Sequence, residues 1–278
     1  MKSQNSLLNF ILILGLISIF SVCVFSEPED NVKVVAQDLN SSDISERIKA
    51  VKILSNQTSP DTINTLIKAL KDENWRVRSE AANALEKIKD PSSVDAILEQ
   101  LEAESLSSEL DTLFVGNGET TVAHYTRQQL ANALTEIVLK EVTLQKNTTL
   151  SKLKHAFARS KNKIFKYYLA TPLAYMRQPE VDPLLIEILQ FSKDGNLRAN
   201  AAQLLGVLGD KKAIPVLKKA LNDSYRSPYK GIYIVRDNAA SSLQLLGLKL
   251  ERIGTDYKVI EEPDEMYIEK KVEKKKIE

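Results

Sequence analysis

Arg78-Ser-Glu-Ala-Ala-Asn-Ala-Leu85 recurs as Arg198-Ala-Asn-Ala-Ala-Gln-Leu-Leu205 and again as Arg236-Asp-Asn-Ala-Ala-Ser-Ser-Leu243, with the alanine pairs aligned and no gaps. Looser copies begin at Arg47, Arg127 and Lys166, so the six anchors lie 31, 49, 39, 32 and 38 residues apart. A helix pair with short turns takes roughly 30 to 45 residues, and only the 49-residue gap demands an insertion. Between anchors runs a second apolar pattern at spacings of three and four: Ile63, Leu66, Ile67 and Leu70, then Val94, Ile97, Leu98 and Leu101, then Leu184, Leu185, Ile188 and Leu189. That period places each set on one face of a helix, the partner of the anchor helix.

Punctuation agrees with this division. Ser59-Pro60, Asp90-Pro91 and Asp182-Pro183 each set a capping side chain before a proline at a first helical position, and Gly209-Asp210 marks a similar boundary. The paired alanines allow helices to approach closely while neighbouring Leu and Ile fill the gaps. No single pair can bury both of its faces, so stability must accumulate by stacking. The expected fold is therefore all-α, an α-solenoid of about six helix pairs.

Gly209-Asp-Lys-Lys-Ala-Ile-Pro-Val-Leu-Lys-Lys-Ala-Leu221 and Asp72-Glu-Asn-Trp-Arg-Val-Arg-Ser-Glu-Ala-Ala-Asn-Ala-Leu85 resemble HEAT repeats of the bilin-lyase-like type, over roughly residues 40 to 250. Leu130 and Leu169 replace the first alanine in two copies, and Pro172 is expected to interrupt its helix. The resemblance implies a curved solenoid that binds proteins, and no catalytic residues. It also implies that Asp72, Arg78, Asp194, Arg198 and Arg236 tie one turn to the next, a structural duty.

The organisation expected is a signal peptide over 1–26, a short leader over 27–42, the solenoid over 43–252 with an inserted loop near 103–122, and a charged tail over 253–278. Residues 7 to 25 are apolar apart from Asn9 and two serines, after Lys2 and before the acidic Glu27, Glu29 and Asp30. This is the form of a secretory signal cut between Ser26 and Glu27. An uncleaved anchor, or lipidation at Cys23, would tether the same body, and those are the only membrane links expected. In every case the body is exported to the cell envelope, periplasm or exterior.

The chain has 38 Lys and Arg against 37 Asp and Glu, and its single cysteine lies at position 23. Nucleic-acid binding needs a surplus of positive charge that is missing here. Disulfides, cysteine-ligated zinc and a thiol nucleophile drop out with the signal. His124 and His155 are the only histidines, and no motif pairs them. No enzyme, cofactor or metal is expected.

Function reduces to binding. Tyr225, Arg226, Tyr229, Lys230 and Tyr233 form an aromatic and basic insertion suited to a partner surface, with packing of the last pair as the alternative. Residues 90–126 hold eight acidic and no basic side chains, whereas 142–179 hold eight basic and no acidic ones. Lys152, Lys154 and Arg159 of the basic block are candidate partner contacts, unless adjacent repeats neutralise one another. The leading expectation is an exported protein-binding scaffold of unidentified partner. A bilin-lyase-like enzyme or chromophore chaperone, and a self-assembling envelope protein, are the alternatives.

Overall fold

The computed structural model describes residues 28–106, 112–115, 118–227 and 231–261. Twelve helices lie among them: α1 Pro28–Asp38, α2 Ile44–Leu54, α3 Pro60–Ala69, α4 Trp75–Ile88, α5 Val94–Leu106, α6 Val122–Thr143, α7 Thr148–Arg159, α8 Lys163–Tyr175, α9 Asp182–Phe191, α10 Gly195–Leu208, α11 Ile214–Ala220 and α12 Ile234–Leu245. Two antiparallel hairpins complete the inventory, β1 Thr112–Val115 with β2 Gly118–Thr121 and β3 Lys249–Ile253 with β4 Asp256–Glu261. The architecture is an all-α solenoid of six helix pairs. Even-numbered helices α2 to α12 carry the six anchors and pack consecutively in one layer, each against its odd-numbered partner in the other.

The alanine pairs behave as close-packing chemistry requires: Ala81, Ala82, Ala201, Ala202, Ala239 and Ala240 are all buried in the even-numbered layer. One core runs through the stack, from Val32 and Val51 through Leu85, Leu134 and Leu169 to Leu205 and Leu243. Helices α10 and α12 approach closely, so that a Cβ on Gly206 would stand 2.7 Å from the Ser242 Cα.

Caps follow the sequence at three of the expected starts. Ser59 Oγ accepts from the Thr62 N–H, Asp90 from the Ser92 N–H and Asp210 from the Lys212 N–H. Asp182 does not cap. A 3₁₀ turn over Pro179–Val181 leads straight into α9, so Asp182 is already helical and buried, with Oδ1 lacking a hydrogen-bond partner. Burial, and then the charge of Asp210, raise the Asp182 carboxyl above its ordinary range. Pro172 is accommodated inside the last turn of α8, which runs on to Tyr175.

Three expected boundaries are corrected. The leader over 27–42 contains α1, whose Val32 and Val35 are buried in the core, making it the first helix of the first pair. The loop over 103–122 is divided among the end of α5, the β1–β2 hairpin and the start of α6. The tail begins later than 253, because β3–β4 docks on α12 through the Tyr257 hydroxyl, which donates to Asp237 Oδ1 at 2.6 Å. Leu250, Tyr257 and Val259 pack on the core from that hairpin. Each miss has one cause: a segment too short to show its own period gains its structure from the stack beside it. The cleavage site Ser26–Glu27, Cys23 and residues 262–278 lie outside the described residues.

Candidate functional site

The anchors make a row of cations along the turn edge, and their partners vary from pair to pair. Arg47 on α2 donates to both oxygens of Asp72 at 2.9 and 3.0 Å, in the turn of the next pair. Arg78 on α4 donates to Glu104 Oε1 at 2.6 Å and to the Asp72 and Glu73 carbonyls. Arg198 on α10 repeats the fork with Asp223 at 2.8 and 2.9 Å. Arg236 on α12 donates to the Asp223 carbonyl and to Asp256. Asp194 caps α10 by accepting from the Asn196 and Leu197 N–H groups. A planar guanidinium matches a carboxylate with two parallel bonds, which gives these ties orientation as well as energy.

In the middle of the stack the carboxylate is missing. Asp72 and Asp223 stand two residues before the N–H groups of Asn74 and Tyr225 and accept from them, and the same place in the turns before α8 and α10 is held by Ser160 and Ser192. A serine makes the local turn bond but offers a guanidinium no charge or fork. Arg127 on α6 instead donates to the Glu104 carbonyl, and Lys166 on α8 stands 4.4 Å over the Phe157 ring.

A cleft of about 460 Å³ lies at this interruption, between the first turns of α6, α8 and α10 and the face of α9. Its apolar wall is Ile164, Leu184, Ile188 and Leu197, closed by Phe191. Phe191 is 75% exposed and Ile164 46%, and both border this one concavity. At the polar end Tyr168 Oη lies 2.5 Å from His124 Nδ1, with the Arg127 guanidinium 5.9 Å from the Tyr168 ring. Burial, opposed by Asp194 and assisted by Arg127, lowers the His124 pKa. Burial and the neighbouring Tyr167 raise that of Tyr168. Both shifts favour the uncharged forms of the two rings, and the short contact ties the first turn of α6 to α8. Lys163 and Glu187 pair at 2.5 Å across the rim.

On the open face of the even-numbered layer, sharing His124, Tyr167 and Asn196 with the cleft, is a second groove of about 420 Å³. Its surface between α6, α8 and α10 is uncharged: Gln128, Asn132, Thr135, Thr171, Asn200 and Gln203. Carboxylates enter only at the far side, from Glu86 on α4 and Glu136 on α6. Burial and then the charge of Glu136, opposed by Lys89, raise the Glu86 pKa.

The residues expected from sequence to meet a partner are dispersed. Tyr225 packs its ring over Gly195, where a Cβ would come within 2.0 Å of it, and donates to Asn196 Oδ1. Arg226 bonds its own loop at the Gly231 carbonyl, and Tyr233 lies 4.0 Å beneath Arg236. Tyr229 and Lys230 lie outside the described residues. Lys152 pairs with Asp95 at 2.6 Å and Lys154 with Glu180 at 3.1 Å, while Arg159 is exposed at the end of α7. The basic block thus meets acidic groups of the pairs on either side. His155 is exposed on α7, and among the described residues no group of three His, Cys, Asp or Glu could hold a metal ion.

Phe191, Ile164, Tyr167 and Tyr168 went unread in the sequence. The signal was present in Ser160 and Ser192, which become visible as departures only once the turns are aligned on Asp72 and Asp223.

The family profile for HEAT repeats matches residues 32–108 and 150–244, more than half of the chain. The chain belongs to the HEAT-repeat family. No curated protein matches it. Among solved structures, an engineered protein is similar at 17% identity and a TM-score of 0.43, over 78% of this chain and 98% of its own. A computationally designed armadillo repeat protein for modular peptide recognition gives 17% identity and 0.37, over 78% of this chain and 100% of its own. The complex of CpcE and CpcF of phycocyanin lyase from Nostoc sp. gives 16% and 0.33, over 77% of this chain and 93% of its own. Likeness at this level concerns the helical-repeat fold alone.

Proposed function

We propose that this HEAT-repeat protein is a non-catalytic scaffold, exported from the cytoplasm, that holds a protein partner at the cleft between its third, fourth and fifth helix pairs. The observation that carries this reading is Phe191, three-quarters exposed on the wall of a preformed apolar cleft. A soluble surface tolerates scattered apolar side chains, but Phe191 stands with Ile164, Leu184 and Ile188 around one concavity, the arrangement of a pocket that takes a partner's apolar anchor. The polar rim of Lys163, Glu187 and Asp194 supplies orientation. Export rests on the amino-terminal pattern of Lys2, the apolar run and Ser26–Glu27.

A photoreactive residue placed at position 191 or 164 in cells should give the same discrete adduct from both sites, and none from position 99 on α5. Phe191→Asp, combined with the probe at 164, should abolish the adduct while helicity is unchanged. Equal adducts from 191, 164 and 99, or none from any, would overturn the docking reading. Amino-terminal sequencing of the fractionated protein tests export separately, and an intact residue 1 in the cytosol overturns it.

A further inference from the structure

The groove on the open face of the even-numbered layer is a different environment from the apolar cleft. In a chain with 27% charged residues, most of the surface that α6, α8 and α10 contribute to it is made of amides, hydroxyls and phenols, with His124, Leu139 and Leu204 among them and Glu136 at the far side. Two internal hydrogen bonds arrange these groups in advance. Gln128 Nε2 donates to Asn132 Oδ1 at 2.9 Å, which commits one donor of Gln128 and turns the Asn132 amino group and the Gln128 carbonyl outward from the pair. Asn200 Nδ2 donates to Tyr167 Oη at 2.6 Å, which leaves the Asn200 carbonyl as an acceptor and the Tyr167 hydroxyl as a donor. Donors and acceptors therefore alternate across helices whose backbones are locked by core packing.

We propose that this groove binds a neutral oligosaccharide. Each sugar hydroxyl donates and accepts at one atom, which is what a surface of mixed amide donors and acceptors satisfies. Tyr175, 42% exposed at the end of α8, lines the same groove and offers a ring face to the C–H side of a sugar. At the far side Glu86 can accept from adjacent hydroxyls, while Glu136 there is paired with Lys89, so the groove carries no concentration of one charge that would select an ionic ligand. An extended peptide would also find main-chain partners here, but its affinity depends on pockets for alternate side chains, and the only aliphatic residues lining this groove are Leu139 and Leu204. The volume, about 420 Å³, is within the range of small-ligand sites.

The test follows the side-chain amide resonances of Gln128, Asn132 and Asn200 in the full chain, titrated with maltotetraose, cellotetraose, chitotetraose or a capped, uncharged Ser-Ala octapeptide. At least one tetrasaccharide should shift these signals to saturation. Tyr175→Ala should weaken that sugar by about three- to tenfold, and Phe191→Asp should leave it unchanged, so that loss of the protein-docking cleft and loss of this site are told apart. Because Tyr175 is half open to solvent, its variant should keep the wild-type backbone spectrum; if it does not, Gln203→Ala, also exposed, takes its place. Saturation by the peptide alone, tighter binding of the peptide than of every sugar, or no shift with any probe overturns the proposal.

Discussion

Replacing Arg198 by Met asks whether the turn ties hold neighbouring helix pairs together. Its guanidinium donates twice to Asp223 at 2.8 and 2.9 Å and once to the Ser192 carbonyl at 2.8 Å, from side chains 15% and 13% exposed. An exposed pair contributes up to about 1 kcal/mol, whereas charge-assisted bonds between largely buried groups contribute ~1.5–3 kcal/mol. The low exposure and fork geometry place this tie in the upper range, ~2–3 kcal/mol, or about 30- to 150-fold in a local opening equilibrium. Burial works to raise the Asp223 pKa, but bonds from Arg198 and the Tyr225 N–H, with the charges of Arg198 and Arg236, prevail and hold it below its ordinary value. A depressed folded pKa means that the contribution is complete above the unfolded value of about 3.9 and is lost as pH falls through the lower folded one. Residue-resolved hydrogen exchange near neutral pH on the wild type, Arg198→Met, Asp223→Asn and the double variant is the assay. Amides of α11 and α12 should exchange about 30- to 150-fold faster in each single variant, and barely faster still in the double. Those of α2 and α3 should not change, because stacked repeats feel chiefly their neighbours. Additive single effects, or acceleration spread equally to α2 and α3, would refute the reasoning.

Gly206→Ala pits helix propensity, worth ~1 kcal/mol in favour of alanine, against a Cβ placed 2.4 Å from Ser242 Oγ and 2.7 Å from its Cα. The backbone contact cannot rotate away and overpacking costs ~1–3 kcal/mol, so thermal melting should show a net loss, and a Tm at or above wild type would contradict it. Phe191→Asp removes an exposed ring and should change stability by no more than ~0.5 kcal/mol in chemical denaturation, since a larger loss would mean that Phe191 serves the core. Burial first, and then the hydrogen bond and charge of Asp237, raise the Tyr257 pKa. With its folded pKa above the unfolded ~10, the phenol's contribution is complete below that value and lost as pH rises through the folded one. Phenolate absorbance should therefore show Tyr257 titrating late, as Tyr167 and Tyr168 also do, and Asp237→Ala should move one of these late tyrosines to lower pH.

What could be read from the chain, and what could not, divides along one physical line. The pairs at Arg78, Arg198 and Arg236 announce themselves because alanine pairs and a 3.6-residue apolar period are local properties, written within a dozen residues of each anchor. The first helix and the β3–β4 hairpin have no such signal. Pro28–Asp38 carries a mixed surface and is helical because Val32 and Val35 have a neighbouring pair to cover, while Asp256–Glu261 is charged at Asp256, Lys258 and Glu261 and is held by Tyr257 and Val259 against the core. Tyr225 and Tyr233 read either as partner anchors or as packing for the last pair, because a sequence shows that a tyrosine stands near an arginine, but not that the ring lies over Gly195 or under Arg236. The cleft belongs to the same class, being defined by a comparison between turns. Asp72 and Asp223 receive an arginine fork from the preceding pair, whereas Ser160 and Ser192 keep the local turn bond and give up the charge. With serine in these two turns, Arg127 and Lys166 reach instead the Glu104 carbonyl and the Phe157 ring, and there Ile164 and Phe191 stand open to solvent. Ser192→Asp, which puts into this turn the carboxylate that Asp223 supplies in the next, should therefore tighten the fourth and fifth pairs against each other, read as slower hydrogen exchange in α9 and α10, while reducing what the cleft can hold.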